Sequence, residues 1–317
     1  MISQHYQLYT NHISNNHIPK TPTMNSAFNQ LLRPIIKIKR LLVSGAVLGF
    51  LTLNAQAATV SVSNYPMFLL SEAVTEGTPS ANRILQPGDV GHHGSVSPSD
   101  IKAIKDSKFV VWFGPSLENS LTGSLQTAPN AIAMFDFKAF NRYPLRDVKG
   151  EPIADTLDPH IWLDPENAKA ITRALAVIHS RANPEYANTY QANVEKFAAR
   201  MDKAVNTVQQ SSQTSRPYWA YHDAYQYIEK AAHVKLAGSL SPDHHISPKA
   251  SQLRWLNENR PVKQMCMVNQ GAVSKGLLAK LQPISTTAQI EDMSDTQDFV
   301  EGWTNMAQQI NNCVDGK

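Results

Sequence analysis

PEYANTYQANVEKFAARMDKAVNTVQQ, residues 184–210, is the stretch whose reading decides the fold. Tyr186, Tyr190, Val194, Phe197, Met201, Val205 and Val208 recur every three or four residues, which places them on one face of a helix. At 1.5 Å per residue that helix is roughly 40 Å long, enough to cross a two-lobed molecule from end to end. The aromatic stripe is read as core rather than as a ligand site, because helical spacing alone is the signature of a packed face.

On either side of this helix, apolar runs alternate with helical patterns. Phe109-Val110-Val111-Trp112-Phe113, closed by Gly114-Pro115, has the continuous apolar character of a strand buried on both faces, and Ala131 to Phe137 repeats it. Ser97-Pro98-Ser99-Asp100 reads as a helix start, with a serine cap, proline at the first helical position and an acid at the third. After the long helix, Tyr218-Trp219-Ala220-Tyr221, Gln264 to Val268 and Ile284 to Gln289 read as strands, and a last helix from Ser294 presents Phe299, Trp303, Met306, Ile310 and Cys313 on one side. The expected class is α/β: two lobes, residues 58–183 and 213–317, each a mostly parallel sheet flanked by helices, joined by a backbone helix over 184–212. No internal repeat is visible in the sequence.

The first 57 residues carry Lys20, Arg33, Lys37, Lys39 and Arg40 and no acid. A basic patch, the apolar run Leu41 to Leu53 and then Ala55-Gln56-Ala57 follow the layout of a secretory signal peptide cleaved after Ala57, with Met24 as an alternative start. Without those five cations, 24 Lys and Arg face 26 acids, so the formal +3 becomes −2. The basic balance belongs to the leader, and no nucleic-acid surface or polybasic membrane patch is left to argue for. Cys266 and Cys313, in an exported chain, read as one disulfide between a strand and the last helix; two free buried thiols are the alternative.

Three histidines stand in well-punctuated loops. His92 lies in Gly88-Asp89-Val90-Gly91-His92-His93-Gly94, a turn-rich loop before the helix at Pro98. His160 lies in Asp158-Pro159-His160-Ile161-Trp162-Leu163-Asp164-Pro165, stiffened by proline on both sides, and His222 stands where a strand gives way to a helix. In open α/β sheets ligands bind beyond the carboxyl ends of strands, and zinc takes imidazoles in a tetrahedral array. His92, His160 and His222 are therefore the candidate ligands of one Zn²⁺, each of them weak evidence alone. His179 and His233 fall within helical segments and are read as structural.

Together the three settings resemble the periplasmic zinc-binding receptors of ABC importers, the ZnuA-like members of the metal-receptor family. In that family a ligand histidine precedes a Pro-Ser-Asp, as His92 stands six before Pro98; a second sits in a segment like residues 158–165, and a third in one like Tyr221-His222-Asp223-Ala224-Tyr225. The resemblance implies metal bound in the cleft between two lobes, delivery to an inner-membrane permease with its ATPase subunit, a periplasmic location and a monomer with no catalytic residues. It leaves the fourth ligand open among Asp292, His93 and water, because Gln289-Ile290-Glu291-Asp292-Met293 lacks the family's Asp-Pro turn. The stretch 139–156 carries no histidine where relatives often have a His-rich loop, which leaves His244 and His245 as the candidate metal-gathering loop. The rival readings are a hydrolase using a three-histidine zinc and a metal-binding adhesin of the same architecture.

Overall fold

The computed structural model describes residues 59–89, 96–210, 215–242 and 246–317. The expected leader lies outside them, as do His92, His93, His244 and His245.

In the first half, β1 (Val60–Val62), α1 (Tyr65–Thr75), β2 (Asn82–Arg83), α2 (Pro98–Asp106), β3 (Phe109–Trp112), α3 (Asn119–Leu125) and β4 (Ala131–Ala133) follow one another. The strands form a parallel sheet in the order β2-β1-β3-β4. Helix α2 starts where the sequence predicts, on a full capping box: Ser97 accepts from the Asp100 amide and the Asp100 carboxylate accepts from the Ser97 amide. The run from Ala131 is shorter as a strand than its apolarity suggests, because Met134–Asp136 coil into a 3-10 turn.

Two helices follow, and beyond them a second sheet repeats the plan with longer strands. Helix α4 (Pro165–Ala182) is capped by Asp164, whose side chain accepts from the amides of Glu166 and Asn167, and it breaks at Asn183 before a proline. A 3-10 turn, Pro184–Tyr186, leads into α5 (Ala187–Gln210), the expected long helix. Then come β5 (Arg216–Ala220), the single turn α6 (Glu229–Ala232), β6 (Val234–Ser239), α7 (Ala250–Glu258), β7 (Met265–Asn269), α8 (Lys275–Ala279), β8 (Ile284–Ala288) and α9 (Phe299–Asp315). The strand order β6-β5-β7-β8, again parallel, matches the first sheet position for position. Helix α9 begins at Phe299 rather than Ser294, because Asp298 is the residue whose side chain caps it.

Period-two alternation sorts the side chains of each sheet between two layers. Val111 and Phe113 face a central core shared with α1, α4, α5 and α9, whereas Val110 and Trp112 face an outer cluster with Ile104, Leu121 and Leu125. In the second sheet Tyr218 and Ala220 face the same central core, and Trp219, Met265 and Met267 face an outer cluster with Leu253 and Leu256. The α5 stripe is buried as its spacing demands, through Tyr190, Val194, Phe197, Met201 and Val208, with Tyr186 and Val205 packed at its border. Because these residues join one continuous cluster, the long helix is the shared wall of both sheets. A disulfide joins Cys266 on β7 to Cys313 on α9. Among the described residues no helix is long and apolar enough to cross a membrane.

Candidate metal centre

His222 stands two residues past the end of β5, and Glu291 three past the end of β8, so both are set by carboxyl ends of strands in the second sheet. His160 is brought to them from the first half by the Asp-Pro-bracketed turn. One ligand atom from each of His160, His222 and Glu291 lies within 4.8 Å of the others. Glu291 Oε2 is 3.0 Å from His222 Nε2 and 3.4 Å from His160 Nε2. All three residues are buried.

His160 and the Glu291 segment are held by partners outside the trio. Asp158 Oδ1 sits 2.7 Å from His160 Nδ1 and also accepts from the His160 amide at 3.0 Å. A carboxylate on the far nitrogen fixes the ring's orientation and leaves Nε2 to face the centre, as second-layer carboxylates do in zinc sites. Residues Ile161, Trp162 and Leu163 form a fully buried 3-10 turn, and the Trp162 indole donates to the Glu291 carbonyl at 3.1 Å. The Tyr225 hydroxyl donates to the Gln289 carbonyl at 2.6 Å, pinning the same strand exit from the other side.

The electrostatics follow from this enclosure. Burial opposes charge on the His160 imidazole, yet the carboxylates of Glu291 and Asp158 outweigh it and push it up to about 10. Burial likewise opposes charge on Glu291, but His160 and His222 hold its carboxyl well below the usual carboxylate range. Without metal the pair is therefore an ion pair, cation on His160 and anion on Glu291. A divalent cation held between these atoms would have to displace that proton, and would find two imidazoles and one carboxylate as donors. That set is borderline in softness and suits zinc, whereas manganese prefers more oxygen ligands.

The structure brings together two of the three predicted histidines and adds a residue the sequence reading passed over. Glu291, not Asp292, is the acid at the centre. Asp292 is spent elsewhere: its Oδ2 accepts from the Gly88 amide at 2.6 Å and its Oδ1 from the Ser294 amide at 3.0 Å. The sequence carries only a local hint, since aspartate two before a serine amide in Glu291-Asp292-Met293-Ser294 is a natural Asx-turn former; the other engagement of Asp292, with Gly88, is far away in the chain. The three-imidazole hydrolase reading is not matched, because the cluster among the described residues is two histidines and one glutamate. His179 is structural as expected, with Ser71 Oγ 2.9 Å from its Nε2. His233, also expected within a helix, caps α6 in the left-handed region at φ 51°.

Two parallel α/β units joined through a long helix, with a buried His-His-Glu cluster where their ligand-bearing segments meet, define a metal receptor of the solute-binding kind. The family model described as the periplasmic component A of the zinc-uptake complex, ZnuA, matches residues 60–313, and the chain belongs to that family. It is 25% identical over 262 residues to the high-affinity zinc uptake system protein ZnuA of Brucella abortus (strain 2308), covering 68% of this chain and 78% of that one. Against the protein of the same description from Haemophilus ducreyi it is 26% identical over 255 residues, covering 70% and 78%. A crystal structure of ZnuA superposes with a TM-score of 0.67 at 17% identity, over 82% of this chain and all of the other. Proteins of this family are carriers, not enzymes.

Proposed function

We propose that the protein captures extracytoplasmic Zn²⁺ between its two α/β lobes, residues 58–183 and 213–317 about the helix of 184–212, and delivers it to an ABC-type importer. Zinc is cargo here, held by His160, His222 and Glu291, with His92 as the ligand that completes a four-coordinate shell. The observation that carries the reading is the convergence of two imidazoles and a carboxylate, from the two halves of the chain, within 4.8 Å in a buried setting. His93 and water are the other candidates for the remaining position, and His244 with His245 for a loop that gathers metal first.

The partners are those the family implies, an inner-membrane permease and its ATPase subunit, with the receptor working as a monomer in the periplasm after cleavage behind Ala57. The arrangement needs no catalytic group: binding energy comes from the matched donor set, against the cost of displacing the proton that His160 carries.

The test is metal content and zinc affinity of the chain from Ala58 onward, beside His92→Ala, His160→Ala, His222→Ala and Glu291→Gln. One tight zinc, weakened at least about tenfold by each substitution, is the expected result. No tight zinc in the wild type overturns the reading, and unchanged affinity in one variant removes that residue from the shell.

A further inference from the structure

The segment between β4 and His160 leaves the first sheet and lands on the second. Its tip is a tight turn in which the Gly150 amide donates to the Asp147 carbonyl at 2.9 Å, Gly150 has φ 86°, and Asp147 Oδ1 accepts from the amides of Lys149 and Glu151. Behind the tip the two arms pair, through Arg146 bridging Pro152 and the Ile153 amide donating to the Leu145 carbonyl at 2.7 Å. The tip docks beside β6, the edge strand. The Val148 carbonyl accepts from the Ser239 amide at 3.0 Å and from Gln252 Nε2 at 2.8 Å. Gly238, at φ +133°, permits the approach, since a Cβ there would stand 2.8 Å from Leu256 and Trp255 and 3.3 Å from that carbonyl.

From this hairpin one part-buried cation reaches the His222 turn of the second half. Arg146 takes both oxygens of Asp223 at 2.7 Å, through Nε and Nη2, and Nη2 also takes Glu229 Oε1 at 2.7 Å. Glu229 is fixed in turn by the Tyr218 hydroxyl at 2.9 Å and the Leu236 amide at 3.3 Å. Asp223 directly follows His222. The base of the same hairpin carries the other ligand: the Asp158 amide donates to the Tyr143 carbonyl at 2.8 Å, and the Tyr227 hydroxyl donates to the Asp158 carbonyl at 3.0 Å. Asp158 is the residue whose carboxylate orients His160.

We infer that Arg146 is a positioning residue of the metal centre. By gripping Asp223 with a planar fork while its own hairpin begins and ends beside Tyr143 and Asp158, it sets the turn of His222 and the turn of His160 relative to each other. The inference rests on the zinc-binding reading above. A guanidinium suits the task because its two-pronged bond to a carboxylate fixes direction as well as distance, which an ammonium does not. The rival role is neutralisation alone: a buried cation is needed wherever Asp223 and Glu229 are both withdrawn from water.

Three variants separate the roles: Arg146→Met, Arg146→Lys, and the triple Arg146→Met, Asp223→Asn, Glu229→Gln, which leaves no stranded charge. Each is titrated with Zn²⁺ against a chelator and with Co²⁺ by visible absorption, and the metal-free melting temperature is recorded beside it. Arg146→Met should weaken zinc on the order of 10- to 100-fold, as loss of an outer partner of a metal site does. The lysine and triple variants, although folded, should also bind more weakly than the wild type and show an altered Co²⁺ spectrum. Wild-type affinity and spectrum in either of those two overturns the inference in favour of neutralisation, and they decide the matter even if Arg146→Met does not fold. Failure of the wild type to bind zinc tightly would instead strike the proposed function, for which His160→Ala in the same titration is the reference.

Discussion

The two sheets share one strand order but place their ligands by different means. In the second half His222 and Glu291 stand just past β5 and β8, so the hydrogen-bonded register of the strands carries them to the centre. In the first half, among the described residues, the ligand is not carried on a strand end. His160 comes after a long excursion beyond β4 and is placed by side chains, chiefly Asp158 on its Nδ1 and the buried turn Ile161–Leu163 behind it. A ligand on a strand end inherits the rigidity of the sheet, whereas a ligand on a loop has only the braces around it. The halves also differ in how their own folds are secured, and this makes them separable by experiment.

The largest difference is covalent. Cys266 and Cys313 are 47 residues apart in sequence, and closing a loop of that size stabilises by about 4 kcal/mol on the chain-entropy model. Urea unfolding of the wild type against a Cys266→Ser, Cys313→Ser double variant should show a loss of that order, centred on the β7 and α9 side. A loss below about 1 kcal/mol would mean that native packing alone holds this half.

Acid is the corresponding lever on the first half. Burial lowers the His179 imidazole to about 4, and the ring stays neutral beside Ser71 and Tyr190. The unfolded chain takes up a proton below its ordinary value of 6.5, so between pH 6.5 and 4 the unfolded state binds more protons and the folded state loses ground as pH falls. The contribution is full above pH 6.5 and is lost on the order of 3 kcal/mol by pH 4. Glu118, pushed up to about 8 by burial, titrates with the opposite sign in the same half. It is common to wild type and His179→Gln, so the difference between their urea profiles across this window isolates His179. A difference independent of pH would show that His179 is not held neutral.

Where these levers sit explains what the sequence could and could not reveal. Helix α5 was legible because a 3.6-residue period over seven turns has no competing reading, and β3 because Phe109 to Phe113 is apolar without alternation. The Ser97 capping box and the Asp164 cap were legible because their bonds are local. The choice between Glu291 and Asp292 was not, since it turns on which neighbour is engaged by Gly88, more than two hundred residues away. The hairpin around Arg146 was likewise hidden: its polar sequence looks like any surface loop, and only the open edge of β6 gives it a place to dock. The matching strand order of the halves is invisible in the sequence because topology constrains hydrophobic pattern, not residue identity.

At the centre itself the loop-borne ligand should prove the more fragile. Asp158→Asn keeps the shape but removes the charge that steadies His160, and zinc affinity should fall on the order of tenfold, read by chelator competition. Beside His222, the Gln270 amide nitrogen lies 3.5 Å from Nε2, the limit of a hydrogen bond. Because β5 already fixes His222, Gln270→Ala should change zinc affinity by only about twofold, within the worth of one weak hydrogen bond at the limit of its range. Equal losses in the two variants would break the comparison, for then strand placement gives no advantage over braces. A larger loss at Gln270 would reverse it and make the β7 exit, Asn269-Gln270-Gly271, part of the metal's immediate surroundings.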